Sequence, residues 1–365
     1  MPNLLEVRGL TVELPTENGW VRPVNEVSFA LADGETLGIV GESGSGKTML
    51  SLALMALEPP GTRRSGEALL CARNSSRAIL SGPSPQAAPL SSRGNPSHRT
   101  GDGFSSASGR ADSRINLVSA SPREMRAIRG GEIAMIFQEP MTALNPLMRV
   151  GSQIEEAIRV HDARCSAAET RRRAVEALKL ASVPEPELRA RQYPHQLSGG
   201  LRQRALIAMA LAAGPRVLIA DEPTTALDVT VQKQILDLLV RLQSELGLAM
   251  IFITHDLGVV AEVAGRVAVM YAGRIVEEGP TRDVLREPRH PYTAGLLRAA
   301  PKLPRAVLTP IPGTVPPFDS LPSGCAFAPR CEFHRAECDA AVPDLLSVDS
   351  AHTARCILVS ESVAQ

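Results

Sequence analysis

The chain has 365 residues, of which 44% are apolar and 21% are charged, proportions that are ordinary for a globular protein of two or three domains. Its 39 Lys and Arg residues balance its 39 Asp and Glu residues, so net charge gives no argument for binding nucleic acid or an anionic membrane. No secretory signal is visible, and no apolar run reaches the roughly 18 residues that a bilayer-spanning helix needs. Any membrane association is therefore expected to come through a partner.

A phosphate-binding loop follows the first predicted strands. Residues 4–14 and 22–31 alternate between apolar and polar side chains, and the apolar run 36–40 predicts a further strand. The loop matches Gly-x4-Gly-Lys-Thr and consists of Gly41, Glu42, Ser43, Gly44, Ser45, Gly46, Lys47 and Thr48. Residues 47–57 are apolar almost all round, as in a buried helix. This order of strand, loop and helix predicts a site for a nucleoside triphosphate rather than for a dinucleotide.

The residue types around this loop indicate how a nucleotide would be held. The glycines allow backbone N–H groups to surround the α- and β-phosphates at the positive end of the following helix. Lys47 would neutralise the β- and γ-phosphates, and the Thr48 hydroxyl would ligate Mg²⁺. Trp20 is the only tryptophan and precedes the loop. It either stacks on adenine or serves simple packing, and the sequence leaves both interpretations open.

Residues 71–114 interrupt the pattern with a stretch that is rich in Ser, Gly, Pro and Arg and contains hardly any large apolar residues. Such a segment cannot bury enough apolar surface to offset the entropy of ordering, so it is predicted to be a disordered insert. Its excess of arginine leaves a contact with anionic lipid open, although a tolerated loop without function is the simpler interpretation.

The second half of the chain predicts alternating strands and helices. A strand is expected at 133–137, and a helical period extends over about 150–182. Further strands are expected at 216–221, 249–254 and 266–271, with helices at about 229–246 and 256–263 between them. This alternation predicts a parallel sheet that is covered by helices on both faces.

Polar residues at the ends of these strands are candidates for catalysis. Asp221 closes an apolar strand, where it would hold the water shell of Mg²⁺, and Glu222 beside the attacking water is the candidate general base. His255 would donate to the γ-phosphate. Gln138 would reach Mg²⁺ and the attacking water with its side-chain amide. His255 and Gln138 are weak signals when each is taken alone.

A second helix with a possible anion-binding start begins at Leu197-Ser198-Gly199-Gly200-Leu201. Ser198 is a good N-cap, and Gly199 and Gly200 allow the backbone to approach an anion closely. Since the phosphate loop already occupies its own helix N-terminus, the second one is expected to complete the nucleotide site of another copy. The sequence therefore predicts a head-to-tail dimer with a nucleotide bound between two chains.

Past residue 280 the chain becomes rich in proline and carries four of its six cysteines, which are Cys325, Cys331, Cys338 and Cys356. Their spacing matches neither the common zinc pairs nor the ferredoxin runs, so inert thiols, a zinc site and an iron–sulfur cluster all stay open. Cys71 and Cys165 lie elsewhere and are expected to be ordinary thiols. A small C-terminal domain is predicted to carry the group of four.

Together these motifs resemble the nucleotide-binding subunits of ABC transporters. In family terms they are the Walker A loop 41–48, the glutamine loop around Gln138, the signature 197–201, the Walker B end Asp221-Glu222, the D-loop 225–228 and the switch histidine His255. Segments similar to the dipeptide and oligopeptide permease subunits are 137–146, 193–197, 289–293 and Gly324-Cys325. Two departures are Leu201, where Gln or Met is usual, and the insert 71–114, where the family keeps a short turn between strands.

The resemblance implies an α/β fold with a P-loop NTPase core of the RecA-like type. This nucleotide-binding domain, with its antiparallel β and α-helical subdomains, would cover residues 1–280, and the helical subdomain would cover 145–205. A small C-terminal extension with the four cysteines would cover 281–365. ATP and Mg²⁺ are the implied ligands. Some members of the peptide-permease subfamily carry a [4Fe–4S] cluster on a matching cysteine set, which favours the cluster among the three alternatives.

The function that the resemblance implies is ATP hydrolysis that powers uptake of di- and oligopeptides. The expected partners are a second, homologous ATPase subunit in a heterodimer, two transmembrane permease subunits and, indirectly, an external substrate-binding protein, with no nucleic acid. The chain would be a peripheral subunit at the cytoplasmic face of the inner or plasma membrane. Alternatives are an importer of nickel or glutathione and a soluble ABC-type ATPase in DNA repair or translation. The sequence contains neither a heptad run nor a second phosphate loop, so nothing in it favours the soluble ATPase.

Overall fold

The computed structural model describes residues 3–17, 19–71, 114–138, 143–225, 227–299, 310–349 and 351–359. The strands are β1 (Asn3–Thr16), β2 (Gly19–Ala32), β3 (Thr36–Val40), β4 (Arg63–Cys71), β5 (Arg114–Asn116), β6 (Ile133–Ile136), β7 (Val217–Asp221), β8 (Ala249–Thr254), β9 (Arg266–Tyr271), β10 (Arg274–Pro280), β11 (Leu346–Ser347) and β12 (Thr353–Ala354). The helices are α1 (Lys47–Leu54), α2 (Pro122–Ile128), α3 (Val150–His161), α4 (Ala167–Leu180), α5 (Pro186–Arg189), α6 (Gly199–Leu211), α7 (Val229–Leu246), α8 (Leu257–Val263), α9 (Thr281–Arg286), α10 (Pro291–Ala299) and α11 (Glu337–Ala340).

An antiparallel sheet contains β2, β1, β4 and β5 in this order. Its buried side chains, such as Val7, Val27 and Leu70, share a hydrophobic core with helix α1. Cys71 of β4 is paired with Arg114 of β5, so the predicted insert begins and ends at neighbouring positions of one antiparallel pair. Its remaining residues, 72–113, lie outside the described residues, and its disorder stays a prediction.

The larger sheet has eight strands in the order β11-β12-β10-β9-β3-β8-β7-β6. The five strands from β9 to β6 are parallel to one another. Successive side chains enter opposite cores, since Val40 and Ala220 belong to one hydrophobic cluster and Ile39 and Ile219 to the other. A parallel sheet with a core on each face confirms the predicted α/β fold class.

Helices α3, α4 and α6 pack on one face of this sheet. Ile154 and Ile158 of α3 and Ala174 and Leu178 of α4 are buried, as their helical spacing predicted. Helix α6 starts directly after its N-cap Ser198 and ends at Leu211, slightly earlier than the sequence indicated. The signature segment 197–201 therefore lies at the start of α6, within this group of helices.

The C-terminal residues extend the larger sheet. β10 is antiparallel to β9, and β12 pairs with β10 through Glu277 and Ala354. The rings of Tyr292 and Phe327 are buried in the core that also contains Val40. The C-terminal residues therefore pack directly against the sheet that carries the phosphate loop. In the described parts of the chain, no helix combines the length and the apolarity needed to cross a membrane.

Candidate functional site

Four of the parallel strands end at the same edge of the larger sheet. Val40 of β3 is level with Thr254 of β8, Asp221 of β7 is level with Ile253, and β6 is in register with β7. The residues that follow these strand ends include Gly41, Gln138, Glu222 and His255. Parallel strands deliver the residues after them to one crevice, which is where open α/β sheets bind their ligands.

The phosphate loop requires glycine at two places where its backbone touches its surroundings. A Cβ atom at Gly41 would lie 2.2 Å from the carbonyl oxygen of Met270, and one at Gly46 would lie 2.0 Å from that of Pro23. Gly46 has a φ of 101°, a conformation that favours glycine, and it precedes α1 without a side-chain cap. The N–H groups in the first turn of α1 therefore face the loop without a competing cap, as a phosphate would require.

Lys47 lies inside the loop and is only 5% exposed. Its Nζ donates to the carbonyl oxygens of Gly41, at 2.6 Å, and Glu42, at 2.9 Å. Burial lowers the pKa of Lys47, and nearby carboxylates, chiefly that of Glu222, oppose the shift. A bound polyphosphate would add negative charge beside the ammonium group and favour its charged form further.

Asp221 is a buried carboxylate that faces the first turn of α1. Its two oxygens accept hydrogen bonds from Thr48 Oγ1, at 3.5 Å, and from Ser51 Oγ, at 3.3 Å. Burial raises the pKa of Asp221, against the opposing effect of these hydrogen bonds. Carboxylate and hydroxyl oxygens are hard donors of the kind that Mg²⁺ prefers, so the residues present fit that ion.

Glu222 is in contact with the other candidate catalytic side chains. Its Oε2 accepts from Gln138 Nε2, at 3.2 Å, and from Thr225 Oγ1, at 2.9 Å. Its Oε1 lies 3.4 Å from His255 Nδ1, and the side chain of Glu222 is 11% exposed. The φ of Glu222 is 47°, and its N–H donates to the carbonyl oxygen of Ile253. Such local strain is typical of residues whose direction matters for function.

A cavity of about 370 Å³ opens beside the phosphate loop. Residues 43–49, Gln138 and Glu222 line one side of it. Leu14 and Val21, from the first two strands, form part of its apolar wall. The lining thus includes both polar and apolar residues, as a nucleoside triphosphate requires.

An aromatic ring other than that of Trp20 lines this cavity. Phe318, from the C-terminal segment, lines the cavity, whereas Trp20 is not among the lining residues. Trp20 is 43% exposed, and the guanidinium group of Arg63 lies 3.8 Å from its ring centre. The sequence carried no signal for Phe318, because it lies in a Pro-rich stretch without periodicity. Thr225 was likewise identified only as part of a motif and not as a hydrogen-bond donor to Glu222.

The signature segment begins helix α6 away from the cavity. Ser198 caps the helix by accepting from the N–H of Leu201, at 3.4 Å, and Ser198 and Gly199 are exposed. A Cβ atom at Gly200 would lie 2.8 Å from Val231 Cγ1, so this glycine lets α6 approach α7 closely. None of these residues lines the cavity beside the phosphate loop.

The four C-terminal cysteines line one small, mainly apolar cavity. All are free thiols, and the N–H of Cys325 donates to the carbonyl oxygen of Cys338 at 2.7 Å. Burial raises the pKa of Cys356 to about 11 and also raises the pKa of Cys325 and Cys331. Among the residues that the structure describes, no group of three or more His, Cys, Asp or Glu side chains is placed to hold a metal ion. The fold thus gathers the thiols without arranging them as a ligand set.

Comparison with protein families places two known regions on this chain. The family model described as "ABC transporter" matches residues 24–93 and 104–225. The model described as "Oligopeptide/dipeptide transporter, C-terminal region" matches residues 276–338. The two regions together contain the phosphate loop, the signature segment, the acidic strand end and three of the four C-terminal cysteines.

Similar proteins cover nearly the whole chain. A Brucella melitensis protein with the provisional name of a peptide import ATP-binding protein is 47% identical over 99% of this chain and 98% of its own length. The oligopeptide transport ATP-binding protein OppD of Bacillus subtilis is 47% identical over 90% of this chain and 82% of its own. The dipeptide transport ATP-binding protein DppD of the same organism is 43% identical over 98% and 95%.

A solved structure has the same fold over most of the chain. It is the dimeric structure of MJ0796, titled a bacterial ABC transporter cassette, with 26% identity and a TM-score of 0.58. The match covers 76% of this chain and 99% of that one. A second structure of MJ0796 is titled a dimeric post-hydrolysis state bound to ADP and Pi and matches equally well.

Proposed function

The chain belongs to the ABC transporter family, and we propose that it is the ATP-hydrolysing subunit that powers uptake of dipeptides or oligopeptides through such a transporter. The convergence of four strand ends on one cavity beside the phosphate loop is the observation that carries this proposal. The similarity to peptide transport subunits over nearly the full length supports the cargo. We assign residues 1–280 to the ATPase domain, with its helical subdomain at 145–205, and 281–365 to the C-terminal extension.

The residues around the cavity suggest separate roles in binding and hydrolysing the nucleotide. The phosphate loop would bind the triphosphate, with Lys47 beside the β- and γ-phosphates. Glu222 would accept a proton from the attacking water while the Gln138 amide holds that water in place. His255, whose side chain is 59% exposed, would donate to the γ-phosphate. Mg²⁺ bound by Thr48 and Asp221 would neutralise charge that develops on the phosphates.

The signature segment supports an ATP site shared between two subunits. Its capped, exposed helix start does not line the chain's own cavity, so we infer that the phosphate that it would bind belongs to a second subunit. We propose a head-to-tail dimer with a homologous ATPase subunit. The dimeric cassette of similar fold is consistent with this arrangement.

An apolar groove beside Gln138 supports a membrane partner. It has a volume of about 320 Å³, and its lining includes Leu57, Phe137 and Met209. Leu57 and Phe137 are each 39% exposed, and exposed apolar side chains grouped in this way are typical of an interaction surface. We propose that this groove contacts the membrane part of the transporter, which would consist of two transmembrane permease subunits. This contact would hold the chain at the cytoplasmic face of the membrane. An external binding protein would deliver the peptide.

We also propose that the four C-terminal cysteines hold a [4Fe–4S] cluster. Their shared cavity and the use of Cys thiolates as cluster ligands support it, and binding would require the thiols to rearrange, because the described side chains are not placed as a ligand set. After anaerobic purification, Cys338→Ser is expected to lose iron and sulfide while Cys165→Ser, which changes a distant thiol, keeps both. Zinc in the wild-type protein without iron would contradict the cluster.

Uptake measurements test the proposed cargo. Cells that lack this gene are expected to lose uptake of labelled di- and tetrapeptides, and the wild-type gene is expected to restore it. Lys47→Ala should not restore uptake, because it removes the charge beside the phosphates, whereas Lys233→Ala changes an exposed lysine on α7 and should restore it. Loss of nickel or glutathione uptake with intact peptide uptake would reassign the cargo. Unchanged uptake of all of them would favour a soluble ATPase.

A further inference from the structure

The second residue of the phosphate loop is tied to the far end of the chain. The carboxylate of Glu42 receives two hydrogen bonds from the guanidinium group of Arg330, with Nη1 to Oε2 at 2.7 Å and Nη2 to Oε1 at 3.0 Å. This is a two-pronged pair of the kind that fixes geometry as well as charge. The side chain of Arg330 is 4% exposed, so little water competes for it.

Arg330 is itself held in one position. Its Nε donates to the carbonyl oxygen of Pro312, at 2.8 Å, and its Nη1 lies 3.4 Å from the hydroxyl of Tyr271. The guanidinium carbon lies 5.9 Å from the ring centres of both Tyr271 and Phe327. The hydrogen bond to Glu42 is the main cause that raises the pKa of Arg330. Because the guanidinium group of Arg330 is buried, permanently charged and fixed by its neighbours, it requires the carboxylate of Glu42 to compensate its charge.

A second C-terminal side chain holds the backbone of the same residue. The N–H of Glu42 donates to the hydroxyl of Tyr292, at 2.8 Å. Tyr292 is fully buried, and its ring packs against Tyr271 and Phe327, with centre distances of 4.6 and 5.4 Å. The backbone and the side chain of Glu42 are thus both anchored on residues beyond position 290.

This anchor lies next to the phosphate-binding lysine. The carbonyl oxygens of Gly41 and Glu42 are the close acceptors of Lys47 Nζ, so the position of Glu42 sets where the ammonium group lies. The same C-terminal segment also places Phe318 against the cavity. The segment therefore touches the candidate nucleotide site at two places, Glu42 and the cavity wall.

We infer that Arg330 is a positioning residue for the nucleotide site, which holds the phosphate loop in its binding conformation through Glu42, with Tyr292 as the second anchor. The C-terminal segment 310–330 is accordingly part of the ATP-binding unit and not only an appendage to it. The inference rests on the proposed ATP site, and its consequence is that loop preorganisation, and hence ATP affinity, depends on a contact between residues 288 positions apart.

Equilibrium binding of a fluorescent ATP analogue to the full-length chain tests this. Arg330→Gln and Glu42→Gln are each expected to weaken binding by about tenfold, since each loses a charge-assisted pair next to the loop. The double variant should be no weaker than either single one, because both changes remove the same contact. Arg298→Gln, which alters an exposed pair with Glu332 in the C-terminal part, should bind as wild type does.

Tyr292→Phe keeps the test decisive if Arg330→Gln does not fold. It removes one hydroxyl and keeps the ring packing, so we expect a smaller loss of ATP affinity with little change in the unfolding temperature. Wild-type affinity in both Arg330→Gln and Tyr292→Phe, or in Tyr292→Phe alone if Arg330→Gln does not fold, would overturn the inference, even if the unfolding temperatures fell. Failure of the proposed function is distinguishable, because then wild type and Lys47→Ala would bind the analogue equally weakly.

Discussion

Glu222→Gln is expected to lower the rate of ATP hydrolysis by about 10²- to 10⁴-fold and to leave ATP binding intact. The glutamine keeps the size of the side chain and an oxygen for Thr225 and Gln138, whose contacts with Glu222 are 2.9 and 3.2 Å long. It cannot accept a proton from water. The steady-state rate of phosphate release, measured beside equilibrium ATP binding, separates the two effects. ATP should therefore accumulate on the variant, and a closed, ATP-bound dimer should become detectable by size-exclusion chromatography.

The matched control for this change is Glu35→Gln. Glu35 lies just before β3, at the opposite end of the sheet, and pairs with Arg266 at 2.8 Å. The same loss of charge there should leave hydrolysis within about twofold of wild type, because this partly buried pair lies at the end of the strands opposite the phosphate loop. A Glu222→Gln variant that hydrolysed ATP at the wild-type rate would remove Glu222 from the role of general base.

The active edge of the sheet was predictable because its signals are local. Apolar runs that end in Gly41, Asp221 and His255 mark buried parallel strands, and parallel strands deliver their carboxyl ends to a common edge. That rule brings positions 222 and 255 to neighbouring strand ends, and the structure adds the side-chain contact between Glu222 and His255 at 3.4 Å. These assignments depended only on the order of the motifs along the chain and on the strand that precedes each of them.

Strand β10 was missed because its pattern is not that of an ordinary strand. Glu277 is fully buried in it, where its carboxylate accepts from the N–H groups of Arg289 and His290 and pairs with His352 at 2.8 Å. A buried carboxylate is tolerated only with such partners, and His352 lies 75 residues later. The turn at Ala272-Gly273, where both residues have positive φ, was the available signal for a hairpin.

The contacts of the C-terminal segment with the phosphate loop could not be predicted from the sequence either, because the contacting residues are far apart along the chain. Arg330 and Glu42 are 288 positions apart, and neither stands in a periodic pattern that would announce a partner. Trp20 stays a predicted adenine contact, whereas Phe318, for which the sequence carried no signal, lines the cavity. Long-range polar contacts depend on the packing of the folded chain. Neither composition nor residue spacing predicts an individual contact of this kind.

Ser198→Asp is expected to lower ATP hydrolysis by about 10²-fold or more while the isolated chain binds ATP as wild type does. Aspartate is as good an N-cap as serine, so helix α6 keeps the cap that Ser198 provides through the N–H of Leu201. The added negative charge would face the γ-phosphate bound by the other subunit. Because the signature segment does not line the chain's own cavity, binding to that cavity should not change.

Ser166→Asp is the matched control, since Ser166 caps α4 in the same way, by accepting from the N–H of Glu169 at 3.2 Å. Both variants carry the same charge at an equivalent helix start, so only the position relative to a second subunit differs. Hydrolysis in the assembled ATPase dimer should fall in Ser198→Asp and persist in Ser166→Asp. If Ser198→Asp instead weakened ATP binding to the isolated chain, the signature segment would serve its own nucleotide, and the shared-site arrangement would be wrong.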